Sequence, residues 1–571
     1  MRTTMAKKWW GLAAAMAVLS PFALAPSTAH AGGFEFSGAG TRPLGRGGAF
    51  AARADDGLAL LYNPAMLADL PDSQIHLSAG LGFLDACVQR DGTYGGALLG
   101  GSTIATSIFD TSPTDPDAWT RDAFPRVCNS GPPQILPQIV GNVRLADDLA
   151  LAFGILAPNG IGASHWGNGN GAVTVAGDTT GNPLRPTPTR YALTEANLLL
   201  FYPSVGFGWR PIEWLRVGLT LQWGIGIISL RNYTNSGIGS EDPSTDIRTQ
   251  LSVVSPFVPA GILTVHFVPH ESVDIVLGGR ISDAVGGVVP AQGDLTLTTT
   301  PYANAANGTM EAQAEATTIH GTTLHSGQPW RFWTGFRYGH RLRPRAYTRP
   351  GDARLRPGPD DPMADELFDL ELDVVYEYNR QVTDFVVTNP AGATANIRPA
   401  GCSMGDASCL SPIPVPRTLP LAHGWSDDIV FRLGGDVNVI PGFLSFRAGA
   451  SFELPVDTGY RRWMTNDFIQ GWRLGLHVGG TIRIDNHFDL SIAYAHIFSE
   501  TVVVGADAGF RQVAATGSMG QCTGTGGNTY DPNNPVVSRG CFPQGFGTVV
   551  NQGTYTQEFN VASISGTYHF D

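Results

Sequence analysis

Four acidic residues at alternating positions, Asp369, Glu371, Asp373 and, two steps further along the same phase, Glu377, pose the first chemical question in this 571-residue chain. Extended backbone turns successive side chains to opposite faces, so these acids share one face while Phe368, Leu370, Leu372, Val374, Tyr376 and Tyr378 share the other. If the apolar row faces lipid, the acids must face an interior. A single charge near a bilayer midplane costs roughly 2–4 kcal/mol for Arg or Lys and somewhat less for an acid. Arg216, Arg280, Arg432, Arg447, Arg473 and Arg483 each fall on the inward phase of their own segments and are the expected partners, either for the acids or for a segment held inside. A structural ion network is the favoured chemistry, and a charge site for a solute is the competing one.

Catalytic chemistry finds little support. The sequence has no nucleophile elbow, no HExxH and no CxxC pair, and Gly38-Ala39-Gly40 lacks the strand-to-helix context of a phosphate-binding loop. His76, His266 and His477 are expected as hydrogen-bonded wall residues rather than ligands, and Asp360-Asp361 as a solvated turn rather than a Ca²⁺ loop. The expectation is a protein that is not an enzyme, with no cofactor and no metal. Cys87, Cys128, Cys402, Cys409, Cys522 and Cys541 fall as three neighbouring pairs, each within one long connection. Local bridging is the simplest scheme, although six thiols allow fifteen connectivities.

The elements that must position these residues follow from composition and pattern. Arg2, Lys7 and Lys8 precede an apolar stretch from Gly11 to about Ala25, and Ala29-His30-Ala31 offers a small-x-small cleavage site, so residues 1–31 read as a secretory signal peptide. The formal net charge is −13, and removal of those three cations makes the exported chain more acidic, which argues against a nucleic-acid partner. No later stretch has the 18 or so uninterrupted apolar residues of a spanning helix, so membrane residence must come from strands.

Period-two alternation then marks fourteen segments: 74–84, 134–145, 149–158, 192–209, 214–230, 248–267, 273–283, 329–339, 367–379, 427–438, 443–454, 471–484, 487–498 and 558–570. The segment 215–227 is typical, with Leu215, Val217, Leu219, Leu221, Trp223, Ile225 and Ile227 opposed to Arg216, Gly218, Thr220, Gln222, Gly224 and Gly226. An even number of alternating strands, joined in turn by tight links at 146–148, 211–213, 269–271 and 485–487 and by long ones at 85–133, 159–191, 380–426 and 499–557, is the pattern of an outer-membrane barrel. Its short turns are periplasmic and its long loops extracellular. Residues 340–366, rich in Arg and Pro, fall on the short-turn side yet run long. The expected fold is therefore all-β: a fourteen-stranded antiparallel transmembrane β-barrel over residues 73–571.

The run before the first strand, Gly32 to Leu67, has no amphipathic period. It carries Gly33-Phe34, then Leu44-Gly45-Arg46-Gly47-Gly48-Ala49-Phe50 with Ala54-Asp55-Asp56, then Tyr62-Asn63-Pro64-Ala65. Together these resemble the FadL/TodX family of outer-membrane transporters for fatty acids and other hydrophobic compounds. The resemblance implies that residues 32–72 form an amino-terminal plug, or hatch, in the lumen, with Phe34 and Phe36 close to the ligand. It further implies that Asn63, Pro64 and Ala65 lie near a kink in the third strand, where Gly154, Pro158 and Gly160 interrupt the ladder and open the wall sideways.

Parity adds candidate ligand contacts. On the fourth strand Leu198, Leu200 and Tyr202 oppose Phe201, Val205, Phe207 and Trp209. On the sixth, Val258 and Ile262 oppose Phe257, Leu263, Val265 and Phe267. With the second set of each on lipid, the first lines an apolar path. The implied function is passive uptake of a hydrophobic molecule, a long-chain fatty acid or an aromatic hydrocarbon, through a plugged barrel with a lateral or plug-gated exit. Expected partners are that ligand, outer-membrane lipid and lipopolysaccharide, and the barrel assembly machinery, which reads aromatic-ended last strands, although here Phe570 is penultimate. A monomer in the outer membrane of a Gram-negative cell is expected. The competing functions are a general porin for polar solutes and a surface structural or adhesion barrel.

Overall fold

The computed structural model describes residues 38–94, 109, 116–158, 161–178, 182–235, 241, 243, 246–299, 302, 315–343, 345, 361–381, 384–397, 408, 411–485, 487–505, 507–510 and 549–570. Fourteen long strands close into one antiparallel barrel. In chain order they are β1 (Ser73–Arg90), β2 (Gln134–Ala146), β3 (Leu149–Leu156), β4 (Glu195–Ile212), β5 (Leu215–Asn235), β6 (Asp246–His270) and β7 (Val273–Ser282). They continue as β8 (Trp330–Arg341), β9 (Glu366–Tyr378), β10 (Asp428–Ile440), β11 (Leu444–Pro455), β12 (Arg473–Ile484), β13 (Phe488–Ser499) and β14 (Gly553–Phe570). Each pairs with its sequence neighbour, and β14 returns to β1 in unbroken register from Ser73 opposite Phe570 to Arg90 opposite Gly553. Closure leaves the wall no free edge, which is what a sheet needs where water cannot satisfy its backbone.

Burial along the strands alternates, and the apolar phase faces outward. Every strand presents an exposed large hydrophobic, from Leu81 on β1 through Phe153, Leu221, Phe446 and Ile492 to Ile564 on β14. A soluble protein would hide such residues; a contiguous apolar belt is stable only against lipid. Trp209, Trp214, Tyr338, Phe443 and Tyr568 stand exposed at the short-turn ends of their strands, the position of an interfacial aromatic girdle. Among the described residues no helix is long and apolar enough to cross a membrane.

Inside the barrel lies the chain that precedes β1. It contains two single-turn helices, α1 (Thr41–Gly45) and α2 (Ala59–Tyr62), and a 3₁₀ helix, Pro64–Asp69. Nearly every residue from Gly38 to Leu70 is buried. On the opposite, long-loop side the wall rises beyond the membrane. The upper half of β6 pairs with a strand at Ala291–Thr299, which pairs with Glu315–His325. A small sheet at that end continues through Asp384–Thr388 and Thr418–Ala422. Cys87, on the outer part of β1, is disulfide-bonded to Cys128, which sits opposite it on a two-residue strand. Cys402, Cys409, Cys522 and Cys541 lie outside the described residues.

Candidate functional site

The acids of β9 face inward, as parity requires, and all four are buried. Their partners differ from those expected. Arg46, from the segment inside the barrel, reaches Asp369 at 2.9 Å and Glu371 at 3.0 Å, and also Asp436 of β10 at 2.5 Å. Arg53, from the same segment, lies 3.0 Å from Asp369. The wall contributes Arg337, 2.7 Å from Asp369, and Arg331, 3.0 Å from Glu377, both on β8. Asp373 instead accepts the backbone N–H groups of Phe50 and Ala51, each at 3.1 Å. Of the six arginines proposed from parity, Arg216 does hold the inner segment, through Asp69 at 2.7 Å; Arg447 bonds Asp436 and Arg483 bonds Asp489. Burial pushes the Arg46 pKa down, but Asp369, Asp436 and Glu371 outweigh it and hold it above the usual arginine value.

Hydrogen bonds on the other sides complete the attachment. Thr41 Oγ1 lies 2.7 Å from Ser563 Oγ of β14 and 3.1 Å from Ser78 Oγ of β1, and Arg42 bonds Asp489 of β13 at 2.7 Å. Towards β5 and β6, Thr220 donates to the Leu60 carbonyl at 2.8 Å, and Ala65 N–H donates to Thr264 at 3.1 Å. Asn63 Nδ2 donates to the Ala51 carbonyl at 2.7 Å and lies 3.0 Å from His266 Nδ1, whose other ring nitrogen is 3.0 Å from Asp274. Asn63 therefore ties the inner segment to itself and to the wall at once. Pro64 follows at the first position of the 3₁₀ helix, where its missing N–H leaves no partner unsatisfied.

The Asn63-Pro64-Ala65 turn meets the wall backbone to backbone. A Cβ added to Gly218 of β5 would stand 2.0 Å from Ala65 N, and one added to Gly208 of β4 would stand 2.6 Å from the Pro64 carbonyl. Only glycine permits that approach.

Above the turn, the face towards β3–β6 is apolar. Leu58, Leu60, Leu61 and Leu67 pack with Leu156 of β3, Leu200 and Tyr202 of β4 and Ile262 of β6 in one buried cluster. Val258 belongs to the adjoining cluster with Ile228, Leu251 and Leu324, and Leu198 packs against that cluster half-buried. The opposite phase, Val205, Phe207, Trp209 and Leu263, is exposed on the outer surface.

At this cluster the wall is interrupted. Leu156 pairs with Gln138 on one side and Tyr202 on the other, and among the described residues the next pairs on both sides belong to Ile161, opposite Ile135 and Leu199. Four positions thus separate Leu156 from Ile161 in the sequence, whereas two separate their partners on either neighbouring strand. Pro137 on β2 and Pro203 on β4 flank the break, and neither can donate to a ladder. The Ala157 N–H, deprived of a ladder partner, donates instead to the Gln138 side chain at 3.2 Å.

Gly154 stands just before the break, with Leu60 Cδ2 3.0 Å from where its Cβ would be. Pro158, just after Ala157, lines a cavity of about 40 Å³ together with Tyr62, Arg280, Trp333, Asp373 and Arg432. Phe34, Phe36 and Gly160 lie outside the described residues. The structure thus brings Asn63, Pro64, Ala65, Gly154, Pro158, Leu200, Tyr202 and Ile262 to one side of the lumen. Sequence reasoning missed Thr220, Thr264 and Trp333. Thr220 lies two residues from Gly218 on the inward phase of β5 and Thr264 stands opposite Gly218 on β6, a signal that is readable only once the turn is known to press there.

This is the fold of the FadL-type membrane channels. Similar solved structures are a FadL homologue from Pseudomonas aeruginosa, at 13% identity over 94% of this chain and 100% of the other with a TM-score of 0.58, and the toluene transporter TodX of Pseudomonas putida, at 13% identity over 94% and 99% with a TM-score of 0.51. A third is the monoaromatic hydrocarbon channel CymD, at 14% identity over 94% and 99% with a TM-score of 0.52. No family model and no curated protein matches in sequence.

Proposed function

We propose that this chain is an outer-membrane channel for passive uptake of hydrophobic molecules. In this reading residues 1–31 direct export, residues 32–72 plug the lumen, and cargo leaves sideways through the wall. The observation that carries it is the two-residue excess of the β3 line over both neighbours between the described pairs of Leu156 and Ile161, set against the apolar cluster of Leu60, Leu200, Tyr202 and Ile262. A solute that enters that cluster gains about 25 cal/mol for each Å² of apolar surface removed from water, and a gap in the ladder next to it leads to lipid without a return to water. No chemical energy source is needed; downstream metabolism or dilution drives net flux.

The cargo in this reading is a long-chain fatty acid or an aromatic hydrocarbon, in line with the hydrophobic compounds named for the similar folds. Phe34, Phe36, Leu198, Leu200, Tyr202, Val258 and Ile262 line its route, and Asn63, Pro64, Ala65, Gly154, Pro158 and Gly160 form the gate. The protein acts as a monomer, inserted by the barrel assembly machinery among phospholipid and lipopolysaccharide. The test is uptake of labelled oleate and labelled toluene by cells that make the intact protein or a variant lacking Phe34–Ser37. Reduced uptake of either cargo in the variant is expected; equal uptake removes the amino-terminal tip from the mechanism. Rapid sugar permeation through liposomes carrying the intact protein would replace this reading with that of a general porin.

A further inference from the structure

At the outer end of the lumen, five side chains on five successive strands form one row: Arg331 on β8, Glu377 on β9, Asp428 on β10, Glu453 on β11 and Arg473 on β12. Register makes them neighbours. Arg331 stands opposite Glu377, Glu377 opposite Asp428 and Glu453 opposite Arg473, while Glu453 is one diagonal step from Asp428. The outer two acids have arginines, Arg331 at 3.0 Å from Glu377 and Arg473 at 3.7 Å from Glu453. Asp428 between them has no cation within ion-pair distance among the described residues. It is fully buried, and its Oδ1 makes no hydrogen bond. Arg432, two inward positions further along β10, lines the cavity at Pro158 instead.

A second group points at the same place. Asn379, 1% exposed, rests its amide on Asp428 through a short Nδ2–Oδ2 hydrogen bond, and its Oδ1 is buried with no donor. One amide width separates those two Asn379 atoms, so this unpaired oxygen lies next to Asp428. Three carboxylates converge, with an unpaired amide oxygen next to the central one, so acceptors are in excess, and an unpaired buried carboxylate is strongly unfavourable. Only a proton or a cation can settle such a set.

One oxygen of each acid lies within 4.8 Å of those of the other two. One ion can therefore touch all three, and the irregular set of three carboxylates and an amide suits Ca²⁺, which takes about six to eight oxygens in flexible geometry, better than Mg²⁺, which demands a near-ideal octahedron and keeps several waters. We propose that Glu377, Asp428, Glu453 and Asn379 form a Ca²⁺ site. The ion joins β9, β10 and β11 at the root of the long loop that leaves β9. Asn379 opens that loop, and its next residue, Arg380, is already bonded to Asp427 beside the site. This site is separate from the cargo route and does not depend on which solute is carried.

The experiment uses full-length protein purified in detergent, stripped with EGTA and titrated with CaCl₂ by calorimetry, with Tb³⁺ luminescence as a second readout. One saturable Ca²⁺ per chain is expected, with affinity lost by about tenfold or more in Asp428→Asn, a change that breaks no ion pair. Asn379→Leu gives the same readout if Asp428→Asn does not fold, as judged by circular dichroism and heat-modifiable migration. Absence of saturable Ca²⁺ or Tb³⁺ binding in the unaltered protein overturns the proposal and leaves the acids sharing a proton. Unchanged affinity in a folded variant, or Mg²⁺ competing as well as Ca²⁺, overturns it too.

Discussion

Arg46 Nη2 lies 2.9 Å from Asp369 Oδ2, joining a residue that precedes the first strand to one on the ninth, and both side chains are at most 1% exposed. The same guanidinium also contacts Glu371 and Asp436 and donates through Nε to the Ala49 carbonyl at 2.8 Å. Arg46 therefore fixes the path of its own chain while bonding two strands of the wall. A buried ion pair gains little over an apolar packing of the same volume, but removal of one partner is costly because the other charge remains in place. The network is for that reason a device for register rather than for strength.

Arg46→Ala leaves Asp369, Glu371 and Asp436 short of their shared cation. The expected cost is about 3–5 kcal/mol in the hold on the inner segment. Because the barrel wall is closed independently, the loss should appear as permeability more than as unfolding. Liposomes carrying the variant should swell in sugars that the unaltered protein excludes, with the strand content by circular dichroism unchanged. Asp369→Asn added to Arg46→Ala should recover part of the loss, the mark of coupled neighbours.

The interruption of β3 yields a direct test of a lateral exit. Removal of two of the four residues 157–160 would match the span of β3 to the two residues opposite it on β2 and on β4. The ladder would then run unbroken across the gap. Uptake of hydrophobic cargo should fall to the level of cells without the protein, while folding and heat-modifiable migration are retained. Undiminished uptake would show that cargo does not leave through this gap.

Most of the barrel was legible in the sequence because lipid outside and polar groups inside impose strict alternation, and each of the fourteen expected segments overlaps one strand. The limits were set where lipid ends. Alternation ends the first strand at 84, whereas it runs to Arg90, and opens the last at 558, whereas it starts at Gly553. Those extra residues pair with each other above the membrane, where both faces are covered and the apolar period is lost. The Thr-rich hairpin of 291–299 and 315–325 escaped for the same reason. Arg337 falls on the inward phase of β8, so the alternation there is enough to mark it. Arg46 and Arg53 have no such mark, since only the folded chain brings an aperiodic segment against β9.

Gly218→Ala should be far more disruptive than a surface Gly→Ala change. Its Cβ would fall 2.0 Å from Ala65 N and 2.1 Å from the Pro64 carbonyl carbon, both backbone atoms held by hydrogen bonds on either side. Overpacking of this kind costs about 1–3 kcal/mol, at the upper end where backbone must move. Gly226→Ala on the same strand is the control, because its nearest contact would be an ordinary 3.6 Å. Thermal midpoints in detergent, compared between the two variants, check the difference.

Asp69 ends the 3₁₀ helix and bonds Arg216 at 2.7 Å and Arg210 at 2.9 Å, tying the inner segment to the turn between β4 and β5. Burial pushes its carboxyl pKa up, but Arg216 and Arg210 outweigh burial and hold it down at about 2, from an ordinary value of 3.8. A carboxyl with a depressed folded-state pKa contributes stability that is complete above its unfolded value and is lost as pH falls through the folded one. The contribution is about 2 kcal/mol, intact at neutral pH and lost progressively from about pH 4 down to about pH 2. Asp69→Asn should therefore be less stable than the unaltered protein at pH 7 by about that amount, and the gap should close as the pH approaches about 2. Unfolding midpoints measured in parallel across that range check the sign, because a purely steric effect of the substitution would leave the gap constant.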